Sequence, residues 1–167
     1  MRTSPALLVG AISLLLLGFG GAVIAGDDET AATDQASATA ANEAAYLDAF
    51  VAKDLDAFMA TFSDDPIFED RTFGDYLVGA VAVRDMENAV LRMTDHEVST
   101  LLDHFVSADG ARAVQIWQWA GTNYLGRPFD MPILVVHEYQ DGKIAKESLY
   151  YAAGDAYAQL TQSAVDG

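Results

Sequence analysis

One stretch, residues 128–152 (PFDMPILVVHEYQDGKIAKESLYYA), restricts the fold more than any other. It holds two runs rich in β-branched and aromatic residues on either side of Asp141-Gly142, a dipeptide that supplies the positive φ angles of a two-residue hairpin turn. Two long antiparallel strands are therefore expected. With Asp141 and Gly142 as the whole turn, pairing predicts Leu134, Val136, Glu147, Leu149 and Tyr151 on one face, and Ile133, Val135, His137, Lys146, Ser148 and Tyr150 on the other. The first face sets the carboxyl of Glu147 among apolar neighbours. Such surroundings disfavour its charged form, so the group is paired, kept protonated or used.

A second hairpin precedes the first, over 97–106 and 111–120, with Asp109-Gly110 at its tip. Its register predicts Leu102, His104, Gln115, Trp117 and Trp119 on one face and Leu101, Asp103, Phe105, Val114 and Ile116 on the other. Ahead of the strands, apolar residues from Ala45 to Phe62 recur at spacings of three and four, which predicts an amphipathic helix over 42–62 capped by Asn42. Ser63-Asp64-Asp65-Pro66 is expected to stop it, before a short strand over 67–71 and a loop at Gly74. A second helix fits 79–93, with Val83, Met86, Val90 and Met93 inward and Arg84, Asp85 and Glu87 outward. A short helix is expected around 155–160. Helices grouped ahead of antiparallel strands indicate one α+β domain, a cone-shaped barrel of a strongly curved, mostly antiparallel sheet wrapped around N-terminal helices. The outer face of that sheet, with Ile133, Val135 and Tyr150, needs a cover, and a homodimer would supply it.

The N-terminus reads differently from the rest. Arg2 precedes an apolar run that ends in Ala22-Val23-Ile24-Ala25, with small residues placed for cleavage after Ala25. Residues 1–25 are thus expected to be an export signal to the periplasm or the medium, the alternative being an uncleaved anchor. Residues 26–40, polar and small, read as a flexible acidic linker, leaving 41–167 as the domain. Nine Lys and Arg against 25 Asp and Glu, a formal charge of −16, argue against nucleic acid and against an anionic membrane surface as partners. The chain has no cysteine, and His96, His104 and His137 lack metal-ligand spacing, so no metal is expected. Walker and dinucleotide fingerprints are also missing, and no cofactor is expected.

The predicted first helix, the Glu69-Asp70 strand, the run Trp117-Gln118-Trp119-Ala120-Gly121-Thr122, and above all Val135 to Tyr151 with Asp141-Gly142-Lys143-Ile144 resemble the SnoaL-like branch of the nuclear transport factor 2-like superfamily. The resemblance covers about residues 42 to 160. It implies a cone-shaped α+β barrel, often dimeric, whose pocket serves polyketide cyclases, ketosteroid isomerases, epoxide hydrolases, dehydratases and members without chemistry. Leu149 and Ala152 stand where relatives tend to carry acids, so the fold by itself does not choose a function.

The candidate catalytic residues are Glu147, for a desolvated proton-transferring carboxylate, Asp70, near the end of the first strand, and His104, as a base or an orienting imidazole. Tyr151 and Tyr124 could donate to a substrate oxygen. Trp117, Trp119, Leu149 and Phe58 would supply apolar wall for a small apolar or ring-bearing ligand. The expected function is binding of such a molecule, with or without cofactor-independent acid–base chemistry of the isomerase, cyclase or dehydratase type. The alternative is a non-catalytic carrier or a dimerising interaction module.

Overall fold

A computed structural model describes residues 27–161 of the chain. The elements run α1 (Asp27–Ala52), α2 (Leu55–Met59), β1 (Phe62–Asp70), β2 (Asp75–Val78), α3 (Ala80–Met93), β3 (Thr100–Val106), β4 (Arg112–Thr122), β5 (Pro128–Gln140), β6 (Lys143–Tyr151) and α4 (Ala153–Thr161). The six strands form one curved, unclosed sheet in the order β2-β1-β6-β5-β4-β3, with β1 and β6 parallel and every other pair antiparallel. The α+β fold expected from the sequence is therefore the fold observed. The segment expected to be an export signal, residues 1–25, lies outside the described residues, and among those described no helix is long and apolar enough to cross a membrane.

Several boundaries differ from the sequence reading, each for a local reason. Helix α1 begins at Asp27, so the stretch read as a flexible linker is helical from there. Six alanines between residues 31 and 41 give it high helix propensity. Its later turns are also fastened: the buried Thr39 hydroxyl donates to the Gly110 carbonyl at 2.7 Å, and Asn42 donates to the carbonyls of Thr61 and Gly142. Asn42 is thus a tertiary clamp, not a cap. The predicted 42–62 helix breaks at Lys53, which has φ 55°, and Asp54 caps α2 by accepting from the amides of Asp56 and Ala57. Strand β1 absorbs the Ser63–Pro66 run, since its register with β6 is irregular there and Pro66 contributes only its carbonyl, to Gly79.

The opening hairpin carries the main correction. Asp141 and Gly142 do form the turn, both with positive φ. One extra residue on β6, however, shifts the register between Glu138 and Tyr139, so that His137 faces Glu147, Val135 faces Leu149 and Ile133 faces Tyr151. The face assignment on β6 stands while that on β5 inverts. Ile133, Val135 and His137 point into the core, and Leu134 and Val136 lie on the other side. A similar irregularity in β3 pairs Leu101 with Trp117 and leaves Leu102 exposed.

Helices α1 and α3 cover the concave side of the sheet. Tyr46, Phe50, Phe58 and Phe62 form an aromatic cluster with ring centroids as close as 4.4 Å, and Phe50 reaches Trp117 at 5.3 Å. Where α3 ends, its last turn lies on the sheet: Thr94 bridges to Gly121, and Trp119 donates to the Thr94 hydroxyl at 2.7 Å. A Cβ at Gly121 would overlap the Met93 carbonyl oxygen, which is backbone and cannot rotate away. Gly121→Ala is expected to destabilise the domain by about 2 kcal/mol or more, read as a lowered urea midpoint at unchanged m-value.

Candidate active site

Three elements bring ionisable groups into the interior. On α1, Thr39, Glu43, Tyr46 and Phe50 recur on one stripe and all are buried. On α3, Val83, Glu87 and Leu91 are the buried residues, so Glu87 lies on the inward face and not, as the sequence reading had it, outside. On the sheet, Gln115, His137 and Glu147 project from β4, β5 and β6.

Their hydrogen bonds form one network. His137 is fully buried between two carboxylates, with Nδ1 2.5 Å from Glu43 Oε1 and Nε2 3.1 Å from Glu147 Oε2. Both ring nitrogens face acceptors, so both carry protons and the ring is an imidazolium. Burial opposes that charge. The hydrogen bonds and charges of Glu147 and Glu43 outweigh burial and raise the His137 pKa to about 9. Glu43 also accepts from Gln115 at 2.6 Å and from the Tyr139 hydroxyl at 2.7 Å, and His104 Nε2 lies 3.5 Å away. Against the cost of burial, the neighbouring His104 ring and the hydrogen bond and charge of His137 hold Glu43 well below the ordinary carboxylate range. The Gln115 side-chain carbonyl accepts from the Trp117 indole at 2.8 Å, which fixes which way the amide points.

Glu147 is the link between this network and a cavity. Its Oε2 accepts from Tyr46 at 3.1 Å as well as from His137. The cavity, of about 40 Å³, has walls that include Phe50, Val90, Trp117, Trp119, Val135 and Leu149, and its ionisable lining groups are Tyr46, Glu87 and Glu147. Burial, and then the charge and hydrogen bond of Glu147, push Glu87 well above the ordinary carboxyl value. The protonated form of Glu87 is thereby favoured, and its Oε1 has no hydrogen-bond partner among the described residues. Burial and the same carboxylate also raise Tyr46, which stays a phenol.

A second cavity, of about 320 Å³ and more open, adjoins the first through Val90, Trp119 and Leu149, which line both. Asp70, Tyr124 and Tyr151 line it, and the Tyr151 hydroxyl donates to Asp70 Oδ2. Asp70 Oδ1 accepts from the amides of Thr72 and Phe73 at 2.8 and 2.9 Å, so this carboxylate also shapes the β1–β2 turn.

Of the residues singled out from the sequence, Glu147, Trp117, Trp119 and Leu149 thus meet in the inner cavity, and Asp70, Tyr124 and Tyr151 in the outer one. Phe58 lines neither, packing instead against Tyr46. His104 also lines neither and stands beside Glu43. His137, read as exposed or interfacial, is fully buried at the centre of the network. Glu43, Tyr46, Glu87 and Tyr139 are additional members.

The protonation pattern has a measurable consequence. His137 titrates near 6.5 when unfolded and near 9 when folded, so its contribution is complete below pH 6.5 and lost as pH rises through 9. Glu87, raised from an ordinary 4.5, acts in the same direction. Glu43, lowered, contributes above pH 4.5 and loses that contribution on acidification. Stability should peak near pH 5 and fall by on the order of 3 kcal/mol toward pH 9 from His137 alone. Thermal unfolding at pH 5, 7 and 9 checks this; a melting temperature that rises across the series would contradict it.

Comparisons with known proteins agree with this architecture. No curated protein matches the chain. Among solved structures, a candidate polyketide cyclase from Pseudomonas putida shares 25% identity at a TM-score of 0.60, over 78% of this chain and 98% of that one. A candidate polyketide cyclase from Xanthomonas campestris shares 19% at 0.63, over 75% and 98%. A steroid delta-isomerase from Pseudomonas aeruginosa shares 18% at 0.61, over 74% and 86%. These likenesses establish the nuclear transport factor 2-like cone. The sequence profile of the SnoaL-like domain matches residues 44–147, more than half of the chain, and the protein belongs to that family.

Proposed function

We propose that the inner cavity binds a small apolar carbonyl compound and moves a proton on it, with Glu147 as base and Glu87 as acid. The observation that carries this reading is a pair of adjacent carboxyls on the wall of an apolar cavity, Glu87 pushed well above the ordinary carboxyl range and Glu147 held at Oε2 by Tyr46 and His137. Without ligand, Glu87 hydrogen-bonds to Glu147. A substrate carbonyl oxygen would compete for the Glu87 proton and free Glu147. The freed carboxylate then takes a proton from the carbon next to the carbonyl, and the C–H electron pair moves onto the oxygen that Glu87 stabilises. Return of the proton to the same or a conjugated carbon completes exchange or isomerisation. Tyr46 and His137 fix Oε2 of Glu147, which keeps the base oriented throughout.

The test uses 2-acetylnaphthalene in D2O. Exchange of its methyl protons, followed by proton NMR, should run about 10²-fold or more above the same buffer with denatured protein. The apolar walls also suit a carrier that performs no chemistry, and binding without exchange would establish that second reading in place of the first.

A further inference from the structure

The two cavities are joined but differ in what they offer a ligand. In the inner one, the fully buried Glu87 has a carboxyl oxygen without a partner among the described residues, so the site is built to meet a polar ligand atom there. The outer one is walled by aromatic rings, Phe73, Trp119, Tyr124 and Tyr151, and carries two carboxyls, Asp70 and Asp75. No Lys, Arg or His is among the described residues lining it. The Tyr151 proton is committed to Asp70, which leaves the phenol oxygen as an acceptor. Asp75 lines the same cavity and is exposed. The nearby cations are engaged elsewhere, since Arg71 and Lys146 both pair with Glu69. The outer cavity thus presents acceptors and aromatic faces, a combination that suits a hydroxyl or an ammonium and repels a carboxylate or phosphate.

Building on the proposed proton transfer, we infer that the ligand is two-ended: an apolar ring-bearing body with a carbonyl acceptor in the inner cavity and a hydroxyl or ammonium donor in the outer one. Tyr151 and Asp75 are the residues that select the donor end. Trp119 and Leu149, common to both cavities, hold the body between them.

Calorimetric titration of the full chain with 2-acetylnaphthalene and its 6-hydroxy, 6-aminomethyl and 6-carboxy derivatives tests this. The hydroxy and aminomethyl compounds should bind about tenfold more tightly than the parent, and the carboxy compound about tenfold more weakly. Tyr151→Phe and Asp75→Asn should each reduce the ratio between aminomethyl and carboxy compounds, Asp75→Asn more strongly because it removes a charge. Asp75 is exposed, so this variant should fold, and thermal melts of both variants verify that. A parent that binds while all derivatives bind equally, a preferred carboxylate, or a preference unchanged in both variants would each overturn the two-ended ligand alone. Failure of every compound to bind, the parent included, would overturn the inner-cavity reading together with it.

Discussion

Glu147→Gln is expected to slow exchange of the 2-acetylnaphthalene methyl protons by about 10²–10⁴-fold, the range that a positioned general base contributes. The substitution keeps the size of the side chain and leaves an amide oxygen to accept from Tyr46 and His137, so the cavity should keep its shape. What disappears is the basic oxygen. A fold disrupted in general would lose ligand binding as well, so the informative pattern is lost exchange with the 2-acetylnaphthalene dissociation constant within a few-fold of the wild-type value. Glu87→Gln separates the two carboxyls. Its amide still donates to a carbonyl oxygen, so exchange should fall by less than in Glu147→Gln. It should also lose the alkaline decline expected of wild type where Glu87 gives up its proton. Exchange at wild-type rate in Glu147→Gln would remove this residue from the chemistry.

Why Glu147 was legible in the sequence while its partners were not follows from the two backbone periods. Parity along β6 depends only on that strand, and Glu147, Leu149 and Tyr151 share a face whatever β5 does. Relating β5 to β6 requires the register across the turn, and one extra residue near Tyr139 reverses it. No residue type near Ala145 announces that insertion. His137 was misplaced for this reason alone. Glu87 is a different case: Val83 and Leu91 stand four residues to either side, so the helical period puts it on the buried stripe. Charge argued for the outside and position for the inside, and position wins where a second carboxyl and a cavity make the neutral form stable. Glu43 was readable in the same way from Tyr46 and Phe50. The linker reading ended at residue 40 and the helix was read from Asn42, one residue before Glu43, so the stripe through Thr39 was cut.

The fold and the chemistry are connected through this network. The curved sheet and α1 are joined by buried polar bonds as well as by apolar packing, and Glu43 is the residue on which β4, β5 and α1 converge. Glu43, the imidazole of His137 and Glu147 stand in line, with Glu147 at the cavity end. This separates the base from the solvent-facing side of the network, where His104 is partly exposed. An interior pair of this kind is weak evidence of net stability, but it is strongly sensitive to losing one member.

His137→Leu therefore carries the largest expected loss of stability. It removes the cation between Glu43 and Glu147, both almost completely buried, and leaves two carboxylates that must be desolvated together. Breaking a buried ion pair by deleting one partner costs about 3–5 kcal/mol. For a domain of this size that corresponds to a fall of about 10 °C or more in melting temperature at pH 7. The pH dependence gives a sharper signature than the size. Without the imidazolium, Glu43 and Glu147 can remain inside only by taking up protons, so their folded pKa values rise above the unfolded ones. Stability of the variant is then present at low pH and lost as pH climbs above about 4.5, whereas the wild-type His137 contribution persists to 6.5 and fades toward 9. The melting curves of the two proteins should approach each other near pH 4 and separate at neutrality. Adding Glu43→Gln to His137→Leu removes one of the two stranded charges and should recover part of the loss, giving a double-mutant coupling well outside additivity. A His137→Leu protein that melts within about 2 °C of wild type at pH 7 would show that the imidazole is not the cation joining these carboxylates.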